Sequence, residues 1–397
     1  MQIGLLGKTN VGKSTFFSAA TETTVQIGNY PFTTIEPNVG IAYVKTDCAC
    51  KHFGIEHKHH LCVMGTRFIP VKLIDVAGLV PGAHEGKGLG NKFLDDARQA
   101  DVLIHVVDIS GSTDIQGRAV PAGTHNPLED VEFVEEEFDR WMKQILQREW
   151  QKLTREMESK GAKLVQGIAQ RFSGLGIKEY DVEIAIQHLN LNTKKLADWS
   201  DSDLFLFIKE LRKKTKPIII AANKADIYHD LSIMEKLKEK RLVIACSAET
   251  ELLLKKASKS GLIDYFPGDK NFKIKDGINL NPQQQKALDL VNTVLSKIKT
   301  TGVQQTLNSA CFDLLKLIVV YPVEDETRLS NKEGEILPDA RLLPPDSTAK
   351  DLAATVHVDL AKGFLHAIDV KTKQRIGAQH QLKNGDVVKI VSTLSRG

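Results

Sequence analysis

The apolar positions of this chain follow two rhythms. Short, mostly apolar runs at residues 3–6, 71–74, 102–107, 217–222 and 242–245 have the length of strands. Between 127 and 157 the spacing changes to three and four: Val134, Phe138, Trp141 and Ile145 recur, then Leu146, Trp150, Leu153 and Met157. That period predicts helix, and acidic residues crowd its start from Glu129 to Asp139, where the positive end of a helix dipole favours them. Further helices are expected over 163–172, 182–189, 201–213 and 281–299. The last is started by Pro282 and stopped before Gly302. Beyond it, strands at 314–321, 363–368 and 386–391 surround a helix over 346–356 headed by Ser347 and Thr348.

Chemistry is concentrated where the strands end. The first apolar run passes directly into GKTNVGKS, residues 7–14. Gly7 and Gly12 let the backbone of Lys8, Thr9, Asn10 and Val11 wrap a pyrophosphate with its N–H groups inward, while a helix beginning near Lys13 adds its dipole. Lys13 is expected on the β- and γ-phosphates, the Ser14 hydroxyl on Mg²⁺, and Thr15 in the first turn above them. The run at 71–74 delivers Asp75, Val76, Ala77 and Gly78, an Asp-x-x-Gly element. There the carboxylate is a partner for Mg²⁺ and the glycine amide meets a γ-phosphate. The run at 217–222 delivers Asn223, Lys224, Ala225 and Asp226. The Asp226 carboxylate can accept from both N1–H and the 2-amino group of guanine, which adenine does not offer. Asn223 and Lys224 brace the base and the phosphate loop. After 242–245, the backbone of Cys246, Ser247 and Ala248 is placed to meet the guanine O6. Four elements, each at a strand's carboxyl end, fit the ligand crevice of a doubly wound α/β sheet.

Composition narrows the class without choosing a partner. A chain of 397 residues with 42% hydrophobic content is expected to form two or three ordinary domains. The formal charge of +3 does not by itself announce a nucleic-acid binder. No apolar run approaches a membrane span, the amino terminus lacks signal-peptide regions, and five cysteines suit a reducing compartment. A cytoplasmic protein with no membrane partner is therefore expected. Cys48, Cys50 and Cys62, with His52, His57, His59 and His60, are ligand types suited to Zn²⁺, but Cys-x-Cys is tighter than the usual finger spacing. A surface loop without metal is the alternative.

The segment at 29–40, NYPFTTIEPNVG, and that at 75–91, DVAGLVPGAHEGKGLGN, resemble the Obg superfamily of translation GTPases, and most closely its YchF or Obg-like ATPase branch in the archaeal form. The resemblance runs along essentially the whole chain. It implies a Ras-like P-loop G domain over 1–125 and 215–311, a helical, coiled-coil-like insertion over 126–214, and a carboxyl-terminal TGS domain of ubiquitin-like β-grasp fold over 312–397. The stretch at 356–369, VHVDLAKGFLHAID, is similar to the TGS signature.

By that resemblance Thr34, in preference to Thr33, is the switch threonine reaching Mg²⁺ and the γ-phosphate. Leu79 stands where many switches carry a water-orienting glutamine, so slow intrinsic turnover is expected. His84, in a glycine-rich stretch, and His105, inside the run at 102–107, are candidates for the missing help; a solvated loop histidine and a core imidazole are the alternatives. The expected catalytic set is then Lys13, Thr34, Gly78, His84 and His105, with Ser14, Thr34 and Asp75 at the metal. Asn10 can hold K⁺ beside the phosphates or can simply stabilise its loop. The sister branch, which prefers ATP, carries glutamate in the last place of the base-reading element; here Asn-Lys-Ala-Asp is intact, which favours GTP and GDP. The TGS domain and the insertion imply a ribosome or RNA partner, and Lys350, Lys362, Lys371, Lys373 and Arg375 are candidates to face phosphates. A monomeric, Mg²⁺-dependent GTPase acting as a switch on the translation machinery is the reading that results. Its rivals are an ATP-preferring hydrolase, a small-molecule kinase sharing only the phosphate loop, and an RNA-binding scaffold in which nucleotide is a structural ligand.

Overall fold

The computed structural model describes the chain except residues 23–37, 56–58, 77–96, 161–162, 228–230 and 395–397, and except the side chains of 157–160 and 231. The described residues form two compact units, one from 1–22, 38–40 and 72–306, the other from 41–71 and 307–397.

The first unit is built on a parallel sheet. Its strands are β1 (Gln2–Leu6), the last residues of β4 (Thr66–Asp75), β5 (Val102–Asp108), β6 (Ile218–Asn223) and β7 (Val243–Ala245). They lie in the order β4-β1-β5-β6-β7, and each neighbouring pair is parallel. These are the five apolar runs, and β5 is buried along its whole length because helices cover both faces of such a sheet. The order reverses at β1, where the chain leaves for β4 on one side and reaches β5 on the other. A crevice opens there at the strands' carboxyl ends.

The helical region belongs to this same unit. Residues 127–157 form two helices, Pro127–Gln147 and Trp150–Lys160, so the single long period is broken at 148–149. The first begins where the sequence asks it to: the Asn126 side chain accepts from Leu128 N, Pro127 occupies the first turn, and Glu129 and Asp130 meet the dipole. Val134, Phe138, Met142 and Leu146 of that helix are fully buried in one cluster that also includes Leu6, Ile74 and Leu103 of the sheet. The remaining helices, Leu164–Arg171, Glu179–His188 and Asp201–Thr215, complete this cluster. Its aromatics pack on one another: ring centroids are 5.4 Å apart for Phe138 and Trp141, 6.0 Å for Trp150 and Trp199, and 5.3 Å for Trp199 and Phe207. The stripe is a seam between helices.

The first unit also holds the short antiparallel pair β8 (Ile263–Asp264) and β9 (Lys273–Ile274). In the second unit, β10 (Ile318–Val323), β11 (Arg341–Leu343), β12 (Phe364–Asp369), β13 (Gln374–Ile376) and β14 (Val387–Ser392) form a sheet in the order β11-β10-β14-β12-β13. Only the central β10–β14 pair is parallel. Helix Ala349–Val356 starts on a capping box in which Thr348 accepts from Asp351 N, and Ala349 and Leu352 pack on Val320, Ala367 and Val388. A helix crossing a mixed sheet whose central pair is parallel is a β-grasp arrangement. Residues 41–71 add part of β2 (Val39–Asp47), the short helix Ala49–Phe53, and β3 (Cys62–Val63) paired antiparallel with the start of β4. Sequence periodicity leaves β2, β3, β11 and β13 unread, since β2 mixes glycine, lysine and threonine into its nine positions and the other three have only two or three residues each.

Candidate functional site

The crevice is assembled first by backbone. Gly7 follows β1 directly with φ of 148°, and a Cβ there would stand 2.6 Å from the Val106 carbonyl oxygen. Gly12, with φ of 90°, precedes helix Lys13–Thr21, and its Cβ would lie 2.3 Å from Asn223 Nδ2. Only glycine fits both positions. No side chain caps this helix and no acidic residue occupies its first turn. The main-chain N–H groups of that turn, with the dipole behind them, therefore suit an anion.

The charged side chains then fall into two groups. At the phosphate-loop end, Lys13 forms an ion pair with Asp75, the last residue of β4, and Ser14 Oγ donates to Asp75 Oδ2 at 3.4 Å. At the other end, Asn223 Nδ2 donates to the Val11 carbonyl at 2.9 Å while its Oδ1 accepts from Ala248 N at 3.0 Å. One side chain thus ties the phosphate loop, the end of β6 and the start of helix Ala248–Lys259 together. Ser247 is buried and its hydroxyl pairs with Thr250 at 2.7 Å. Lys224, with φ of 59°, donates to Asp108 Oδ2 at 2.8 Å and to Ser112 Oγ at 3.3 Å.

Asp108 is an organising residue that motif reading missed. It ends β5, is 1% exposed, and accepts from Ser110 N, Ser112 Oγ and Thr113 Oγ1 besides Lys224. Burial pushes its carboxyl up, but the bonds from Lys224 and from the Ser110 and Ser112 hydroxyls outweigh this and hold it below its ordinary value. The available signal was a carboxylate at the end of an apolar strand, in the position that Asp75 and Asn223 occupy on theirs.

A second missed group lies beneath the loop. Lys8 Nζ donates to Asp130 Oδ1 at 2.8 Å and to the Thr113 carbonyl at 2.9 Å, and both charged side chains are 2% exposed. His125 Nε2 is 2.7 Å from the same carboxylate. The loop is also pinned from outside, because Thr9 Oγ1 donates to the Gln116 carbonyl at 3.3 Å and Asn10 Nδ2 to the Gly117 carbonyl at 2.8 Å. For Asn10 this is the loop-stabilising contact that stood as the alternative to holding K⁺.

Between the two groups lies a cleft of about 660 Å³, lined by Lys8, Thr9, Asn10, Gly12, Lys13, Ser14 and Thr15 on one side and by Asn223, Lys224, Asp226, Ile227 and Ala248 on the other. Its size is that of small-ligand sites in general. The lining combines cations and the backbone amides of the phosphate loop with the Asp226 carboxylate, a set that matches a molecule with an anionic tail and a hydrogen-bond-donating base.

His105 is not brought to this cleft. It sits inside β5 at 1% exposure, and burial lowers its pKa to about 4, so the imidazole is neutral. Thr33, Thr34, Gly78, Leu79 and His84 lie outside the described residues, as does His57 of the cysteine loop. Lys350, Lys362, Lys371, Lys373 and Arg375 are all exposed on the β-grasp unit. Among the described residues no helix is long and apolar enough to cross a membrane.

Similarities to known proteins span the chain. A family model described as a 50S ribosome-binding GTPase matches residues 2–152, one for an Obg-like GTPase, YGR210-like, G4 motif-containing domain matches 221–325, and a TGS domain matches 334–392. A GTP-binding protein of Methanocaldococcus jannaschii that is otherwise uncharacterised is 49% identical over 395 residues, 98% of each chain. The crystal structure of a GTP-binding protein from Pyrococcus horikoshii superposes with a TM-score of 0.77 at 41% identity, covering 99% of this chain and 100% of that one. The Schizosaccharomyces pombe YchF GTPase shares the fold, with a TM-score of 0.58 at 19% identity over 98% and 97% of the two chains.

Proposed function

Because the chain belongs to the Obg-like, YchF-type family of GTP-binding proteins, we propose that it selects GTP over ATP and hydrolyses it to GDP and phosphate. The observation that carries this reading is that Asp226 lines the same cleft as Lys13 and the uncapped helix start. A triphosphate held by the phosphate loop leaves its base beside that carboxylate, which discriminates through the two donors of guanine.

Ser14 and Asp75 offer two neighbouring hard oxygens, the donor chemistry that Mg²⁺ takes together with phosphate oxygens and water. They would hold this ion, which when bound neutralises charge on the β- and γ-phosphates. Lys13, now paired with Asp75, stands beside the same position and would turn to the phosphates. Gly12 and the helix amides orient the tail, and Asn223 keeps loop and base site in register. Thr34, Gly78 and His84 carry the proposed switch and hydrolytic roles, and Asn10 the proposed K⁺ contact. The proposed division remains a G domain over 1–125 and 215–311, an insertion over 126–214 and a TGS domain over 312–397. The insertion and the TGS domain would present the nucleotide state to a ribosome or its RNA, with the protein acting as a cytoplasmic monomer. Support for that partner is the match to a model described as ribosome-binding, together with the exposed basic side chains of the β-grasp unit.

Titration of labelled GTP and ATP tests the base assignment. Wild type should prefer GTP, and Asp226→Ala should lose about 1.5–3 kcal/mol of GTP affinity, roughly 10- to 150-fold, with little change for ATP. Equal affinities of the wild type for both nucleotides would overturn the selectivity. Release of free phosphate, with no phosphorylated small molecule, separates a hydrolase from a kinase.

A further inference from the structure

The second unit carries a cluster that this chemistry does not use. Cys48 opens the short helix Ala49–Phe53, Cys50 lies within it, and Cys62 begins β3. Their three sulfurs all lie within 4.8 Å of one another, none is in a disulfide, and Cys50 and Cys62 are 3.9 Å apart. Thiolates bound tetrahedrally at a Zn–S length of about 2.3 Å stand about 3.8 Å apart. We propose that Cys48, Cys50 and Cys62 bind one Zn²⁺ ion, a metal site independent of the nucleotide cleft.

Several features of the surroundings support a built site. Cys48 and Cys50 are 2% and 5% exposed, so two of the three donors are screened from solvent. Backbone bonds fix the ligand-bearing segments: Cys48 N donates to the Gly65 carbonyl at 2.9 Å, Ile55 N to the Cys50 carbonyl at 3.0 Å, and Cys62 N to the His59 carbonyl at 2.8 Å. An all-sulfur donor set suits a borderline-soft ion and not Mg²⁺ or Ca²⁺, which take oxygen. Three thiolates and one Zn²⁺ leave a single negative charge. Arg67 is the register partner of Cys62 across the antiparallel β3–β4 pair, so the two side chains share a face. Its guanidinium is 1% exposed, it reaches His59 Nδ1 at 3.1 Å and the Pro338 carbonyl at 2.9 Å, and its Nε has no hydrogen-bond partner among the described residues. A buried cation needs a negative neighbour, and the zinc thiolate centre supplies one. A disulfide would join only two of the sulfurs and leave the third thiol and this guanidinium unexplained. The ion would fasten the 48–54 turn to the β3–β4 hairpin.

The test uses untagged full-length protein expressed with zinc in the medium. Elemental analysis should find about one zinc per chain in wild type and at least a roughly tenfold drop in Cys50→Ser/Cys62→Ser, with GTP binding retained. Cobalt added to metal-stripped wild type should give intense thiolate-to-metal and tetrahedral d–d absorption that zinc then abolishes. Should the double variant fail to fold, the wild-type cobalt spectrum decides. Zinc content unchanged in the variant, or only weak octahedral cobalt absorption in wild type, would overturn the site. Neither result bears on the nucleotide assignment, which GTP titration tests alone.

Discussion

At the scale of single residues, His105 shows how burial decides a role. A histidine inside a run of Val, Leu and Ile reads more readily as a core residue than as a catalytic one; the fold puts it at 1% exposure with a pKa lowered from 6.5 to about 4. In the unfolded chain the imidazole takes a proton below about 6.5, whereas in the folded chain it does so only below about 4. The stability linked to it is therefore complete above pH 6.5, falls as pH drops from 6.5 to 4, and is lost below. A shift of this size corresponds to about 3 kcal/mol. Melting temperature measured against pH should fall less steeply across this window in His105→Leu than in wild type, and GTP turnover near neutral pH should be unchanged. A collapse of turnover in a variant that still folds and binds GTP would instead place His105 in the chemistry. Gly7 and Gly12 are the contrasting case, where the motif and the fold require the same thing, because both positions combine a positive φ with a close backbone or amide neighbour.

Between elements, the connection with most consequence is the one from the phosphate loop to helix Pro127–Gln147. It rests on the buried Lys8–Asp130 pair, with His125 and the Thr113 carbonyl completing the set. Removing only the carboxylate leaves a buried ammonium without its counter-charge, which costs about 3–5 kcal/mol, whereas replacing both partners by apolar groups is far less damaging. Urea denaturation should show Asp130→Ala destabilised by that amount and Lys8→Met/Asp130→Leu much closer to wild type. Nucleotide affinity should fall in the single variant, since Lys8 sits in the loop proposed to grip the phosphates. An undisturbed Asp130→Ala protein would mean that the pair does not set the loop. Helix boundaries in this region were legible from Asn126, Pro127 and the acidic first turn, all local signals. The ion pair was not, because Lys8 and Asp130 are 122 positions apart and nothing in either neighbourhood names the other.

For the molecule as a whole, ligand binding should couple to the unit that forms the cleft. GDP at about 100 times its dissociation constant should raise the unfolding free energy of that unit by about 2.7 kcal/mol. Hydrogen exchange should show the gain in protection over β1, helix Lys13–Thr21 and β6, and Asp226→Ala should need correspondingly more GDP to reach it. Protection confined to 307–397 would put the ligand elsewhere. The amino-acid sequence alone determined the parallel-sheet class, the phosphate-loop motif, the Asn-Lys-Ala-Asp element at 223–226, and the β-grasp end of the chain. Each of these is written in contiguous residues, as an apolar run ending in a fixed motif or a cap followed by a helical period. Tertiary structure alone decided that Asn223 joins Val11 to Ala248, that Asp108 and Asp130 anchor Lys224 and Lys8, that the helical region shares one core with the sheet, and that three cysteines meet beside a buried arginine. Such contacts pair residues far apart along the chain, and their energies depend on burial and mutual distance, quantities that no local pattern encodes until the strands and helices are assembled.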